Sequence, residues 1–247
     1  MRNFFCNFAA AILTLTSTTA CDDGRIYPET TQTTQREGLV MKLTGNISGI
    51  GSWADGYSVV VAAFDATSPY ALITKNLTAE GNTELTMNAI PQEATTVELC
   101  VIDRLRQRVV TIEATEANAT PGDTIKMDVG TIDVGMLAQL QHNVFTPRCA
   151  GCHGLSSYAA AGVNLTEGKT YDNIVGKPSR RIEGKNIVEP GNYAESSLAQ
   201  MLDTDITSTW GYDHQHADIS DSWREILKKW IENIGNEEKT YIRQRRG

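Results

Sequence analysis

The residues best placed to do chemistry are Cys149, Cys152 and His153, in the run Cys149-Ala150-Gly151-Cys152-His153. Two thiols three positions apart on one helical turn match the separation of the two vinyl groups of haem, across which they add to form thioethers. The imidazole that follows then points at the iron from the same side, the usual axial role of His. The spacing predicts one covalent haem c, with His153 on its iron. Cys-x-x-Cys serves two other chemistries. A thiol–disulfide centre prefers a βαβ setting, which the surrounding sequence lacks. A structural zinc site needs a second Cys pair, and the remaining cysteines, Cys6, Cys21 and Cys100, stand far apart.

Haem attachment of this kind requires export, and the N-terminus reads as an export signal. Arg2 gives a positive start, residues 4–15 give a short apolar core, and Ser17-Thr18-Thr19-Ala20 gives small residues before Cys21. The apolar stretch is too short to span a bilayer. Cleavage after Ala20 is one reading. Lipidation of Cys21 is favoured, because a Cys directly after a small residue resembles a bacterial lipobox, although Thr18 stands where Leu is usual. Asp22-Asp23-Gly24 is similar to the acidic start of Bacteroidetes surface lipoproteins. The expectation is a signal peptide over 1–20, a lipidated Thr-rich tether over 21–37, and a periplasmic or outer-membrane lipoprotein, exposed at the surface in one version of this reading. The lipid is then the membrane contact.

The 247-residue chain carries 22 Lys and Arg against 30 Asp and Glu, a net charge of −8, which excludes a basic nucleic-acid footprint. With Cys6 lost in the signal, Cys21 lipidated and two thiols in the motif, only Cys100 remains, so no disulfide framework is expected. Strand alternation puts Cys100 on one face with Glu98 and Ile102, as a buried inert thiol.

Residues 38–134 read as about seven short strands, at 39–43, 57–64, 70–74, 83–90, 96–102, 108–114 and 124–134, separated by Gly, Pro, Asn and Asp. This spacing suggests an antiparallel β-sandwich of immunoglobulin-like, transthyretin-like or fibronectin-like kind. From 135 the period changes. Met136, Leu137, Leu140, Val144 and Phe145 share a helical face that Asn143 and Pro147 should end. Short helices are expected over 170–175 and 195–202. The clearest helix is capped by Ser220 or Asp221, carries the stripe Ile219, Trp223, Ile226, Leu227, Trp230, Ile231 and Ile234, and stops at Gly235. A basic tail occupies 237–247.

The segment from Asn143-Val144-Phe145 through the Cys149–His153 motif to Gly154 resembles the start of a class I cytochrome c domain. Residues 161–175, Val188-Glu189-Pro190-Gly191 with Ser196-Ser197-Leu198, and the closing 219–231 are similar to segments of the planctomycete-type group. The resemblance covers 135–236 and implies a second domain with an all-α cytochrome c fold. It also implies a sixth iron ligand just ahead of the final helix, usually Met. Here that stretch is Gly211-Tyr212-Asp213-His214-Gln215-His216-Ala217-Asp218, without Met. His214 falls nearest the expected position, His216 is the runner-up, and Met201 competes from an apolar helical run. A second imidazole favours ferric iron and lowers the potential relative to a thioether.

Other roles are softer. The carbonyl of Pro178 or Pro190 is a candidate to orient His153, and Arg180, Arg181 and Lys185 to pair with haem propionates. Trp223, Trp230 and Phe145 are candidates for the haem wall or simply the core. His142 is expected to face solvent or a neighbouring helix. No acid, base or substrate pocket is recognisable, so the expectation is a non-enzymatic electron carrier on the envelope that serves a redox partner protein. Two alternatives stand: a sandwich-based binding or docking lipoprotein whose haem is secondary, and a peroxidase-like haem enzyme with an open iron site.

Overall fold

The computed structural model describes residues 38–119, 123–154, 159–203 and 212–235. The signal, the tether with Cys21, and the tail over 237–247 lie outside the described residues.

Seven strands form where apolar and β-branched residues run between turn signals: β1 Leu39–Ser48, β2 Ser58–Phe64, β3 Ile73–Asn76, β4 Gly81–Ile90, β5 Thr96–Ile102, β6 Arg108–Glu116 and β7 Thr124–Asp133. They make two sheets, ordered β4-β1-β7 and β3-β2-β5-β6. Alternate residues meet between them: Leu39, Met41, Leu43 and Ile47 of β1 join Val59, Val61 and Ala63 of β2 and Val97, Leu99 and Val101 of β5 in one core. Each such side chain contributes roughly 1.5–3 kcal/mol by leaving water.

The expectation of an antiparallel sandwich needs one correction. β1 and β7 run parallel, with Met41 opposite Ile125 and Leu43 opposite Met127. The pleat has the same period of two in either direction, so alternation carries no information about it. A bulge near Gly130 adds a residue to β7 and shifts the register between Thr44 and Asn46.

β2 and β5 are buried on both faces. Their outer face carries a second cluster of Val60, Ala62, Phe64, Ala71, Cys100 and Ile102. The segment after β2 is clasped to the β5–β6 turn, where Ala71 donates its N–H to the Arg106 carbonyl and Arg106 Nη2 returns bonds to the carbonyls of Ala71 and Leu72. Glu98, also on this face, pairs with Arg108 at 3.0 Å and accepts hydroxyl bonds from Thr96 and Thr111.

Beyond β7 the chain forms α1 Met136–Leu140, a π-helical stretch Gln141–Cys149, α2 Ala150–His153, α3 Thr170–Ile174, α4 Ser197–Asp203 and α5 Asp221–Asn233. This region is not the all-α cytochrome c fold that the resemblance implied. Among the described residues strand accounts for 34% against 29% for helix, and the helices are short. Glycines at positive φ, among them Gly162, Gly168, Gly176, Gly184 and Gly191, break the segments between them. The 175–188 stretch is held by a parallel bridge, Val175 to Val188, and an antiparallel one, Pro178 to Asn186.

The region is also not a body apart. The described residues fall in one compact unit, and Val134, Met136, Leu140, Val144, Phe145, Ile226, Leu227, Trp230 and Ile231 join the core of the sandwich. The junction is tight. Trp53 donates its indole N–H to the Val134 carbonyl at 2.8 Å, and Ser52 Oγ accepts the Met136 N–H at 2.9 Å. Gly49, at φ 80°, passes so close that a Cβ there would stand 2.6 Å from the Gly135 nitrogen. Among the described residues no helix is long and apolar enough to cross a membrane.

Candidate functional site

The Cys-x-x-Cys-His run ends a continuous helical segment made of α1, the π-stretch and α2. Val144 and Phe145 are buried, and the Phe145 ring meets Trp230 of α5 edge-on at 6.4 Å. The helix does not end at Pro147 as its sequence suggests. The ladder widens instead, and Ala150 donates its N–H to the carbonyl of Phe145, five residues back. Wide turns of this kind recur at functional sites. Gln141 anchors this helical segment: its side chain donates to the Leu165 carbonyl at 3.0 Å and accepts from Thr170 Oγ1.

Cys149 is half-buried and packs against the core, whereas Cys152 is exposed. Burial first, and the neighbouring Cys152 second, push the Cys149 thiol up to about 11. A thiol-exchange centre needs a depressed thiol, so the environment speaks against that chemistry.

His153 is half-buried, with Nδ1 3.0 Å from the carbonyl oxygen of Ala160. When Nδ1 donates this bond, the lone pair of the ring sits on Nε2, the arrangement used to aim an imidazole at a metal. The anchoring carbonyl belongs to neither Pro178 nor Pro190. It comes from a tight turn, Ala160–Gly162, in which Ala161 is left-handed at φ 55°. Arg180 packs on this turn, and a Cβ on Gly162 would lie 2.6 Å from its guanidinium.

His214 opens a 3-10 turn, His214–Ala217, ahead of α5. Asp213 caps the turn by accepting the Gln215 N–H, and the Gln215 side chain ties it to the Asp203 carbonyl at the end of α4. The fold brings the rings of His153 and His214 together, 61 residues apart in sequence, with centroids separated by 6.3 Å and planes inclined at 35°. Tyr212 stands edge-on to the His214 ring at 5.0 Å. Burial, then the nearby His153, lower the pKa of His214, against opposing effects of the Tyr212 backbone and Asp213. The result favours neutral imidazole, the form that ligates a metal.

The other candidates are placed differently. His216 is exposed, with Nε2 3.3 Å from Asp213 Oδ2. Met201 is half-buried on α4, and His142 is exposed. Lys185 pairs with Glu195 at 3.1 Å, and Arg181 is exposed. Trp230 is buried, and Trp223 is half-buried against the core. Among the described residues no group of three or more His, Cys, Asp or Glu side chains is placed to hold a bare metal ion.

Sequence reasoning missed three contributors. Gln141 was legible, because it falls within the apolar stripe between Leu140 and Val144, where a polar residue needs partners. Ala160 and Tyr212 carry no such sign. No family model, curated protein or solved structure matches this chain.

Proposed function

We propose that this protein carries one haem c, bonded through Cys149 and Cys152, with His153 and His214 as axial ligands, and that it passes single electrons to a partner at the cell envelope. The observation that carries this reading is the close approach of the two imidazoles. Two imidazoles on opposite sides of one metal ion, each bonded at about 2 Å, have ring centroids about 6 Å apart. The rings of His153 and His214 stand at 6.3 Å, and one of them directly follows the Cys-x-x-Cys spacing.

The donor set fits the group: two thiols on one turn, one imidazole oriented by a backbone carbonyl, and a second kept neutral by burial. When bound, the haem supplies an iron that changes between ferric and ferrous. The chain's own residues do the rest. Ala160 orients His153. Tyr212 and the capped 214–217 turn orient His214. Phe145 and Trp230 keep water from the wall behind the motif. Two strong imidazole donors favour the ferric state, so the potential lies below that of a His–Met haem. With both axial positions filled, a peroxidase-like reaction at the iron is disfavoured. Export with a lipid on Cys21 belongs to the same proposal, because this attachment chemistry takes place outside the cytoplasm.

The test is a haem-retaining denaturing gel of mature protein made alongside a working attachment apparatus. The natural chain should keep its haem through denaturation, and the Cys149→Ala/Cys152→Ala variant should lose it. A colourless natural chain contradicts the proposal.

A further inference from the structure

Resting on the bis-imidazole reading above, we infer that Arg148 and Asp218 form a latch that holds His214 over His153, so that access to the iron is set by ionic strength. Arg148 is the residue immediately before Cys149, in the last turn of the π-stretch, so its backbone is rigidly joined to the motif. Asp218 is the residue immediately after the turn that carries His214. Their side chains meet across the gap, Arg148 Nη1 to Asp218 Oδ2, at 3.2 Å. The pair thus joins the segment bearing one imidazole to the segment bearing the other.

Beside the partners of His214 itself and the packing of Ala217 on the core, other tethers of the turn run to α4 and α5. Gln215 binds the Asp203 carbonyl at the end of α4, and Asp213 serves the turn itself. Arg224 of α5 binds the carbonyls of Ile219 and Leu202. These fix the base of the turn to α4 and α5. The latch is exposed, with side chains 46% and 84% accessible. An exposed pair is weak and is screened by salt. It suits a gate that stays shut most of the time and opens measurably when loosened.

Asp218 sits at φ 53°, in the left-handed region that Asp and Asn tolerate best. Asp218→Asn therefore removes the charge while keeping the backbone preference, and Arg148→Gln removes the other partner. The experiment uses haem-loaded full-length protein and follows cyanide binding to ferric iron, which requires His214 to leave. At low salt each single variant should bind cyanide about two- to fivefold faster than the natural chain, as a surface pair of this strength implies. The double variant should be no faster than the singles. Raising salt to molar strength should accelerate the natural chain towards Asp218→Asn and leave that variant unmoved. Unchanged rates in the single variants, or additive effects in the double, overturn the latch. A His214→Ala protein separates this from the parent reading. If its cyanide rate and spin state equal those of the natural chain, the imidazole assignment itself fails, and the latch with it. If His214→Ala turns high-spin and fast while Asp218→Asn stays slow, only the latch fails.

Discussion

The strand-rich half and the helical half of this molecule are held together by different means. From β1 to β7, the backbone's polar groups are spent on ladders. Val59, Val61, Leu99 and Val101 fill the space between sheets, and side chains serve the main chain chiefly at the turns, as Asp65, Asp103 and Arg106 do. From α1 onward the ladders are short, and side chains take over. Gln141 binds the Leu165 carbonyl, Asn143 binds Gln139, Asn173 binds Lys169, and Ser196 accepts the Glu189 N–H. The first half is a laddered scaffold. The second is a set of short pieces clasped around a motif and leaning on the scaffold's core.

The difference can be broken at the seam. Trp53 is buried, stacks edge-on with Tyr57 and bonds to Val134. Trp53→Ala should cost about 3–5 kcal/mol, and in thermal melts both halves should lose structure in one shifted transition. Helical signal lost well before strand signal would mean that the halves do not share a core.

Smaller perturbations sharpen the contrast. Glu98→Gln leaves Arg108 beside a neutral partner within the buried outer face of β2 and β5. It should cost about 1–3 kcal/mol in denaturant titrations without altering thiol accessibility at the motif. Gln141→Ala should cost a similar amount, about 1–3 kcal/mol, yet show itself locally, as faster hydrogen exchange at Leu165 and around Cys149. Equal exchange effects of the two variants at the motif would erase the distinction between scaffold and clasp. The smallest effect concerns the haem-free chain. Burial holds the Cys149 thiol at about 11, so at pH 8 an alkylating agent should label exposed Cys152 first. Cys149 should follow only as pH rises towards its pKa, because the thiolate is the reactive form. Prior labelling of Cys149 at pH 8 would contradict this placement of the motif.

Much of the scaffold was legible because its runs are unambiguous. Ser58–Phe64 and Thr96–Ile102 are continuous apolar stretches of strand length bounded by turns, and both are buried on both faces. The parallel pairing of β1 and β7 was not legible, because strand period is blind to direction. In the helical half, the α5 stripe was readable, and Ser220 stands at its N-cap position but spends its hydroxyl on Ser222 Oγ and makes no capping bond to the backbone; the path past Pro147 was not readable. A proline normally ends an α-helix by withholding a donor, and a π-stretch absorbs that loss through a bonding pattern one residue longer. The motif was readable from spacing alone. The Ala160 carbonyl behind His153 was not, since it depends on Ala161 adopting a left-handed conformation that alanine rarely takes. The pairing of His214 with His153 was approached by counting back from the last helix, and only the fold brings the two rings together.

The most direct test of the bis-imidazole site is the ferric spectrum of the haem-loaded protein, taken beside that of His214→Ala. The account predicts a low-spin ferric haem with no sulfur-to-iron charge-transfer band, and a high-spin haem in the variant. A sulfur band in the natural chain, or an unaltered low-spin spectrum in His214→Ala, would contradict it.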